Sequence, residues 1–317
     1  MIILLGPQRL APIVGEVARE HGIHGRAAVV TAGWQEREAE DEELFAALGL
    51  PGVNLQLYHR WEEVARTDPT LFAAHRERQD QLRALEELYD KRLAHVMAAA
   101  RELLEAEEPV ELLQAERASA MDAVRALDDH HLRRVADIHA AFEDRVRPFE
   151  HPALLRHRAE IAEVLVGADV LVIAGGHVGV LLNRLRLFGI ADHLPGKHVI
   201  AWSAGAMACC ERIALFHDSP PQGAGNAEVF EHGLGLVPGV VALPHASRRL
   251  RLGEPVRVSL MAQRLAPDWP TTFDVRDVVV IGDDGRLVTV RGARRLRADG
   301  TVTPLADAVG LRPGGEA

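Results

Sequence analysis

The chain has 317 residues, 48% of them hydrophobic, and a formal net charge of −10 at pH 7. This size suits one large α/β domain with an insertion, or two domains, and the negative charge argues against non-specific nucleic-acid binding. No apolar run approaches the ~20 residues that a bilayer span needs. The two cysteines, Cys209 and Cys210, are neighbours and provide no disulfide framework. We therefore expect a cytoplasmic protein with no membrane or nucleic-acid partner.

Short apolar runs alternate with helical patterns over the first part of the chain. The expected elements are a strand at Ile2–Leu5, a helix near Ala11–His21, a strand at Ala27–Thr31, a helix around Glu38–Leu48 and a strand at Val53–Tyr58. Strands that alternate with helices predict a parallel sheet covered by helices on both faces. The predicted fold is therefore a three-layer α/β sandwich with a mostly parallel central sheet.

Residues 60–150 differ from the rest of the chain, because they contain almost no glycine and are rich in Ala, Glu, Arg and Leu. Apolar residues recur at three- and four-residue spacing, which predicts two amphipathic helices of roughly 35 residues each. Glu107-Glu108-Pro109 separates them. We expect a helical hairpin inserted into a single domain of residues 1–317, packed on itself and on the core. A lid, a homodimer contact or a partner-docking arm is the alternative.

Sixteen histidines raise the question of a metal site. His130-His131 is expected on a solvated helix face, and the chain contains no HExxH motif or paired Cys/His spacing. We predict no metal and no cofactor.

Two motifs in the second half follow apolar runs typical of buried parallel strands. The run Asp169–Ala174 ends in Gly175-Gly176-His177, and a helical stretch follows from Val178 to Phe188. The run Lys197–Ile200 leads into Ala201-Trp202-Ser203-Ala204-Gly205-Ala206, and Met207–Leu215 is predicted to be a helix. A small-x-Ser-x-Gly turn between strand and helix is the pattern of a nucleophile elbow, which exposes the serine hydroxyl above the sheet edge.

A third apolar run, Val240–Leu243, delivers Pro244 and His245 to the end of a predicted strand. Because ligands collect at the carboxyl ends of strands in open parallel sheets, a serine and a histidine at one edge predict a nucleophile and its base. Near the chain end, Val278–Ile281 and Leu287–Val290 predict a hairpin across the turn Asp283-Asp284-Gly285.

The strings AGGHVGVLL, AWSAGAMACC and GLGLVPGVVALPHASRRLRLG resemble the serine peptidases that include peptidase E and cyanophycinase. The resemblance covers residues 165–255 well, residues 2–33 loosely and residues 60–150 not at all. It implies a flavodoxin-like sandwich of the class I glutamine-amidotransferase-like superfamily. The chain departs from the family pattern at Ala201, where glycine is usual, and at His177, and Phe273–Asp277 lacks the intact acidic pair of cyanophycinase.

The resemblance also implies roles for individual residues. Ser203 would be the nucleophile and His245 the general base, and the backbone N–H groups of Gly176 and Ala204 would form the oxyanion hole. Asp218 stands where peptidase E has its third catalytic residue. Glu211 and Glu228 are the alternatives.

Four further residues are candidates for substrate binding. Gly175 and His177 flank the predicted oxyanion donor. Arg249 and Arg251 share a face if their segment is extended, and a guanidinium there could clamp a substrate carboxylate.

The function expected is hydrolysis of small peptide or isopeptide bonds, with aspartyl groups as candidate substrates. The alternative is a non-catalytic relative whose helical hairpin binds or regulates a partner. The glutamine-amidase function found elsewhere in the superfamily is disfavoured, because those enzymes use cysteine at the elbow.

Overall fold

The computed structural model describes residues 1–216 and 225–314. The strands are β1 (Ile2–Leu5), β2 (Ala27–Val30), β3 (Gly52–Asn54), β4 (Val170–Ile173), β5 (His198–Trp202), β6 (Arg212–Leu215), β7 (Glu228–His232), β8 (Val240–Pro244), β9 (Trp269–Phe273), β10 (Val278–Ile281), β11 (Leu287–Arg291), β12 (Arg294–Leu296) and β13 (Val302–Pro304). The α-helices are α1 (Val14–Glu20), α2 (Glu42–Leu48), α3 (Leu57–Thr67), α4 (Pro69–Glu105), α5 (Val110–Val146), α6 (Pro152–Val166), α7 (Val178–Leu187), α8 (Ala204–Cys209), α9 (Ala246–Arg249) and α10 (Pro255–Leu265).

The main sheet has seven strands in the order β11-β10-β1-β5-β4-β2-β3. The five strands from β1 to β3 in this order are mutually parallel, and β10 and β11 extend the sheet antiparallel. The prediction of an α/β fold with a mostly parallel central sheet is therefore confirmed. The predicted hairpin near the chain end is the pair β10 and β11.

Both faces of this sheet are buried, because successive side chains of a strand point to opposite faces. Leu171 and Ile173 of β4 join one hydrophobic core, and Val170 and Val172 join the other. Helices α1 and α2 cover the second core, while α3, α6, α7 and α8 cover the first. The helices cover the faces of the sheet, and the carboxyl ends of its parallel strands form the edge at which ligands bind in open sheets of this kind.

A second sheet, in the order β13-β12-β9-β8, lies beside the main one. Its strands β8 and β9 are parallel, with Pro244 paired to Phe273 at their ends. Helix α8 packs against β8 and bridges the two sheets through the first core, which contains Met207 and Ala242.

The two longest helices, α4 and α5, occupy the chain between β3 and β4 and pack against each other. Tyr89, Leu93 and Met97 of α4 meet Met121 and Val124 of α5 in a small core of their own. The apolar spacing in residues 60–150 thus corresponds to a real interface between two helices.

Three predictions, two of elements and one of side-chain exposure, differ from the structure. The strand predicted at Val53–Tyr58 ends at Asn54, because Leu57 begins α3 and is buried. The helix predicted over Met207–Leu215 is confined to α8, and its second half is the strand β6, which pairs with β7. His131 is buried rather than solvated, because its ring stacks on Tyr89 at a centroid distance of 4.1 Å.

Candidate active site

Ser203 lies at the sharp turn between β5 and α8. Its backbone has φ = 51° and ψ = −119°, a conformation that costs a non-glycine residue free energy and that is found at functional turns. Two glycines make room for the turn. A Cβ on Gly205 would lie 2.3 Å from the Ile173 carbonyl oxygen, and one on Gly175 would lie 2.8 Å from the Ser203 Cβ. The small residues of the motif therefore let the serine sit directly against the end of β4.

The glycine pair after β4 packs against both neighbouring strand ends. Gly176 has φ = 125°, and a Cβ there would lie 2.3 Å from the Gly33 carbonyl oxygen, while the His177 N–H donates to that oxygen at 2.8 Å. A Cβ on Gly175 would lie 3.5 Å from the Ala204 backbone nitrogen. Ala204 is the first residue of α8, so its N–H has no acceptor within the helix. The two predicted oxyanion donors, on Gly176 and Ala204, thus belong to adjacent strand ends.

His245 follows β8 directly and also has a positive φ, 59°. Its N–H donates to the Phe273 carbonyl oxygen at 2.9 Å, which fixes it beside the end of β9. Partial burial lowers the pKa of its imidazole, the positive charges of Arg249 and Arg248 lower it further, and the Asp274 carboxylate opposes them. The imidazole is therefore neutral at neutral pH and able to accept a proton.

A short path of contacts relates Ser203 to His245. Leu5 pairs with Trp202 across β1 and β5, so Gly6 continues beside Ser203. A Cβ on Gly6 would lie 1.7 Å from the Asp274 carbonyl oxygen, and Asp274 follows Phe273, the residue that binds the His245 N–H. The ends of β5, β1, β9 and β8 thus meet at one rim. Within residues 1–216 and 225–314, no hydrogen bond joins the Ser203 hydroxyl to the imidazole, a contact that often tightens only when substrate binds.

A model of peptidase family S51 matches residues 125–294, more than half of the chain. The chain belongs to peptidase family S51. It is therefore a serine-type peptidase.

Other comparisons are weaker. A solved peptidase from an acI-B1 Actinobacterium is 12% identical, with a TM-score of 0.46 over 94% of this chain and 90% of the other. A solved protein from Listeria monocytogenes EGD-e, described as a peptidase E, is 13% identical, with a TM-score of 0.42 over 93% of this chain and 98% of the other. No curated protein sequence matches the chain.

Of the three carboxylates predicted as candidates for the third catalytic residue of this S51 peptidase, Glu211 and Glu228 belong to the described residues. Asp218 lies outside the described residues. Glu211 is exposed next to β6. Glu228, in β7, faces α4, where burial and the carboxylates of Asp90 and Glu86 raise its pKa to about 7.

Asp274 is a carboxylate near His245 that the sequence did not single out. Its Oδ1 accepts from the Ser247 N–H at 3.0 Å, its Oδ2 accepts from the Ser247 hydroxyl at 2.5 Å, and Arg294 lies 3.5 Å away. It is the carboxylate whose charge acts on the His245 imidazole. Its position directly after an apolar strand was the available signal, but the pairing of β9 with β8 is not visible in the sequence.

The two predicted substrate-binding arginines do not share one extended face, because Arg249 closes the short helix α9. Arg249 stays close enough to His245 to lower its pKa. Arg251 lines a small cavity of about 50 Å³ with Met97 and Glu228, and its guanidinium lies 3.3 Å from Glu254.

The remaining predicted substrate-binding residues lie at the rim. Gly175 is buried against Ser203, and His177 is exposed, with its Nδ1 accepting from the Val180 N–H at 3.3 Å. His177 also lines a cavity of about 570 Å³ between α4, α5, α7 and β7.

Among residues 1–216 and 225–314, no group of three or more His, Cys, Asp or Glu side chains could hold a metal ion. In the same residues, no helix combines the length and apolar character that crossing a membrane requires.

Proposed function

We propose that this S51 peptidase hydrolyses small peptides or isopeptides through an acyl-enzyme on Ser203, with His245 as general base and acid. The observation that carries the proposal is the strained turn at Ser203, placed beside the glycine pair on the rim where β8 ends in His245. The proposed architecture is that of the class I glutamine-amidotransferase-like superfamily, with α4 and α5 as an inserted hairpin.

In the first half-reaction, the Ser203 Oγ attacks the scissile carbonyl carbon while the His245 imidazole takes the hydroxyl proton. The carbonyl oxygen becomes an oxyanion that accepts hydrogen bonds from the Gly176 and Ala204 N–H groups. The imidazolium then protonates the leaving amine, the C–N bond breaks, and an ester to Ser203 remains.

In the second half-reaction, water attacks the ester carbonyl while His245 takes one of its protons. The same two N–H groups stabilise the second oxyanion. Collapse of this intermediate breaks the bond to Ser203, returns the proton to its Oγ and releases the acid. Because the imidazole is neutral at the outset, it can act as a base without first losing a proton.

A carboxylate that orients the imidazole completes the proposed triad. Asp218 fills this role by family resemblance, and the proximity of Asp274 to His245 supports Asp274 as the second candidate. The substrate class proposed is peptides with an aspartyl group on the acyl side of the scissile bond.

Steady-state hydrolysis of aspartyl dipeptides by purified variants tests the assignment. Ser203→Ala should lose at least about 10⁴-fold in kcat, because triad members act as a unit, while retaining the wild-type circular dichroism and melting temperature. Ser119→Ala, at an exposed position on α5, is the matched control and should retain wild-type kcat.

The same assay on Asp218→Asn and Asp274→Asn identifies the orienting acid as the variant with the larger loss of kcat. Wild-type turnover by Ser203→Ala would refute the proposed mechanism.

A further inference from the structure

The 570 Å³ cavity lies between α4, α5, α7 and β7, and it reaches His177, the residue that follows the glycine pair. Its lining includes His177 and Val178, which follow Gly175-Gly176, together with His75 and Arg78 of α4 and Arg184 of α7. Its volume lies within the range of sites that enclose small ligands. A molecule bound at Ser203 could therefore extend into it.

Two arginines in this cavity are buried without a counter-ion. Arg78 and Arg184 are only 6% and 7% exposed, and no carboxylate of the described residues forms an ion pair with either one. Arg78 Nε and Nη2, and Arg184 Nε, are covered by protein and have no hydrogen-bond partner within those residues. Burial lowers the pKa of each guanidinium to about 10, so both remain charged at neutral pH.

A third buried arginine, Arg264, has a carboxylate partner, as buried charges usually do. The guanidinium of Arg264 donates to both carboxylate oxygens of Asp128, at 2.6 and 2.8 Å. Near Arg78, by contrast, the carboxylate of Glu143 is exposed and forms no ion pair with it, and the buried carboxylate of Glu231 is already engaged. Glu231 accepts from Arg186 at 2.8 Å and lies 3.1 Å from His139.

The cavity lining also includes the carboxylates of Glu86, Glu143 and Glu231, and the charges of Glu231 and Glu143 raise the pKa of Arg78 against the effect of burial. Burial, and then the charge of Arg78, lower the pKa of His75 to about 3, so its ring is neutral. Its Nε2 lies 3.1 Å from the Asn183 Oδ1, a neutral partner. The positive charge of Arg78 lowers the pKa of the buried Arg184, and a bound anion would offset this repulsion between two buried cations.

We propose that this cavity binds a carboxylate of the peptide substrate, with Arg78 as its principal ion-pair partner and Arg184 as a second positive charge. The inference rests on the proposed function, because it assigns a substrate class to the same site. A planar guanidinium forms two parallel hydrogen bonds with a carboxylate, and the Nε and Nη2 atoms of Arg78 form such an edge. Arg78 stacks on Phe142 at 4.1 Å, and in the complex it turns over that ring to present the edge to the cavity.

The carboxylate has two sources in a short peptide, an acidic side chain or the free C-terminus. Three substrates separate them: Asp-Leu, Asn-Leu and Asp-Leu-amide. For the wild-type enzyme, kcat/KM should be lower on one of the two analogues, Asn-Leu or Asp-Leu-amide, than on Asp-Leu. In Arg78→Gln this difference in kcat/KM should largely disappear, because KM for Asp-Leu rises. An unchanged preference in Arg78→Gln for both carboxylates would overturn the proposal.

A binding measurement separates this inference from the proposed catalysis, since it needs no turnover. In calorimetric titration of the full chain, glutarate should bind and neutral glutaramide should not. Arg78→Gln should weaken glutarate binding by about tenfold or more, the usual effect of a hydrogen bond to a charged group. Arg76→Gln, on the exposed side of the same helix, is the matched control and should bind as the wild type does. Equal binding by Arg78→Gln would overturn the site, whatever Ser203→Ala does.

Stability distinguishes a binding role from a structural one. Removing a buried, unpaired charge should leave the ligand-free Arg78→Gln protein at least as stable as the wild type, whereas a structural role predicts a lower melting temperature. Arg78→Lys, which retains the charge without the planar fork, should also bind glutarate more weakly. Wild-type affinity in Arg78→Lys would contradict the two-bond geometry.

Discussion

At the scale of single residues, Ser203 and His245 share an unusual backbone. Each follows the last residue of a buried strand and has a positive φ, 51° and 59° respectively, a conformation that costs a non-glycine residue of order 1–3 kcal/mol. Such strain persists where the surrounding structure enforces it. At Ser203, Gly175 and Gly205 supply the close packing, and at His245 the bond to Phe273 fixes the turn.

The charges around His245 predict a pH dependence. Because burial and the two arginines lower the imidazole pKa, the acidic limb of kcat/KM should lie below the ordinary histidine pKa of about 6.5. Arg249→Gln removes a positive charge, so the pKa should rise and the limb should move upward by roughly half a pH unit. A pH profile of kcat/KM measures the shift.

Arg251→Gln is the control for this profile, because Arg251 is not among the charges that act on the His245 pKa. Its limb should coincide with that of the wild type. A limb that moves downward in Arg249→Gln would mean that His245 is not the titrating base.

At the scale of elements, the helix pair α4 and α5 is fastened to α10 by a buried polar network. Arg264 donates to Asp128 and to the Tyr89 hydroxyl at 2.6 Å, and that hydroxyl donates to the Asp128 Oδ1 at 2.8 Å. Asp128 and Arg264 are 2% and 3% exposed. The network therefore holds the hairpin over the second sheet with every charge paired.

Asp128→Ala should destabilise the protein by about 3–5 kcal/mol, because it leaves the Arg264 charge buried without its partner. Asp122→Ala removes an exposed pair with Arg125, 3.3 Å apart on the same helix, and should cost about 0.5 kcal/mol or less. Urea denaturation measures both values. A loss below about 1 kcal/mol in Asp128→Ala would show that the network contributes little to stability.

Local patterns predicted most elements, and contacts distant in sequence explain the failures. The strands β4, β5 and β8 were recognisable in the sequence because each is an apolar run closely followed by Gly, Ser or His. The segment Met207–Leu215 was predicted to be one helix, because its apolar residues suit a helix and a strand equally. Its partner β7 decides the outcome.

In the candidate site, too, local patterns identified some residues and contacts distant in sequence determined the others. The motif and the family resemblance indicated Ser203 and His245, but Asp274 approaches His245 only because β9 pairs with β8. Arg78 belongs to an amphipathic helix on which arginines are normally solvated. Its burial depends on how α4 packs against α5, where the guanidinium lies over the Phe142 ring, and no local pattern encodes this contact.

At the scale of the whole molecule, the two sheets bring their strand ends to one rim. Gly6 touches the backbone of Asp274 there, so the main sheet and the second sheet meet beside Ser203. The helix pair, with α7 and β7, encloses the cavity that His177 lines. The sheets thus position the proposed reacting groups, and the helices enclose the cavity proposed to bind the substrate carboxylate.

The proposed mechanism requires Ser203 to be a nucleophile activated at this rim. Reaction with a serine-directed phosphonate, followed by mass-spectrometric mapping of the modified peptide, tests it most directly. We expect a single adduct on Ser203, formed much more slowly in His245→Ala. An adduct on a different serine, or an unmodified Ser203 in protein that the reagent has inactivated, would contradict it.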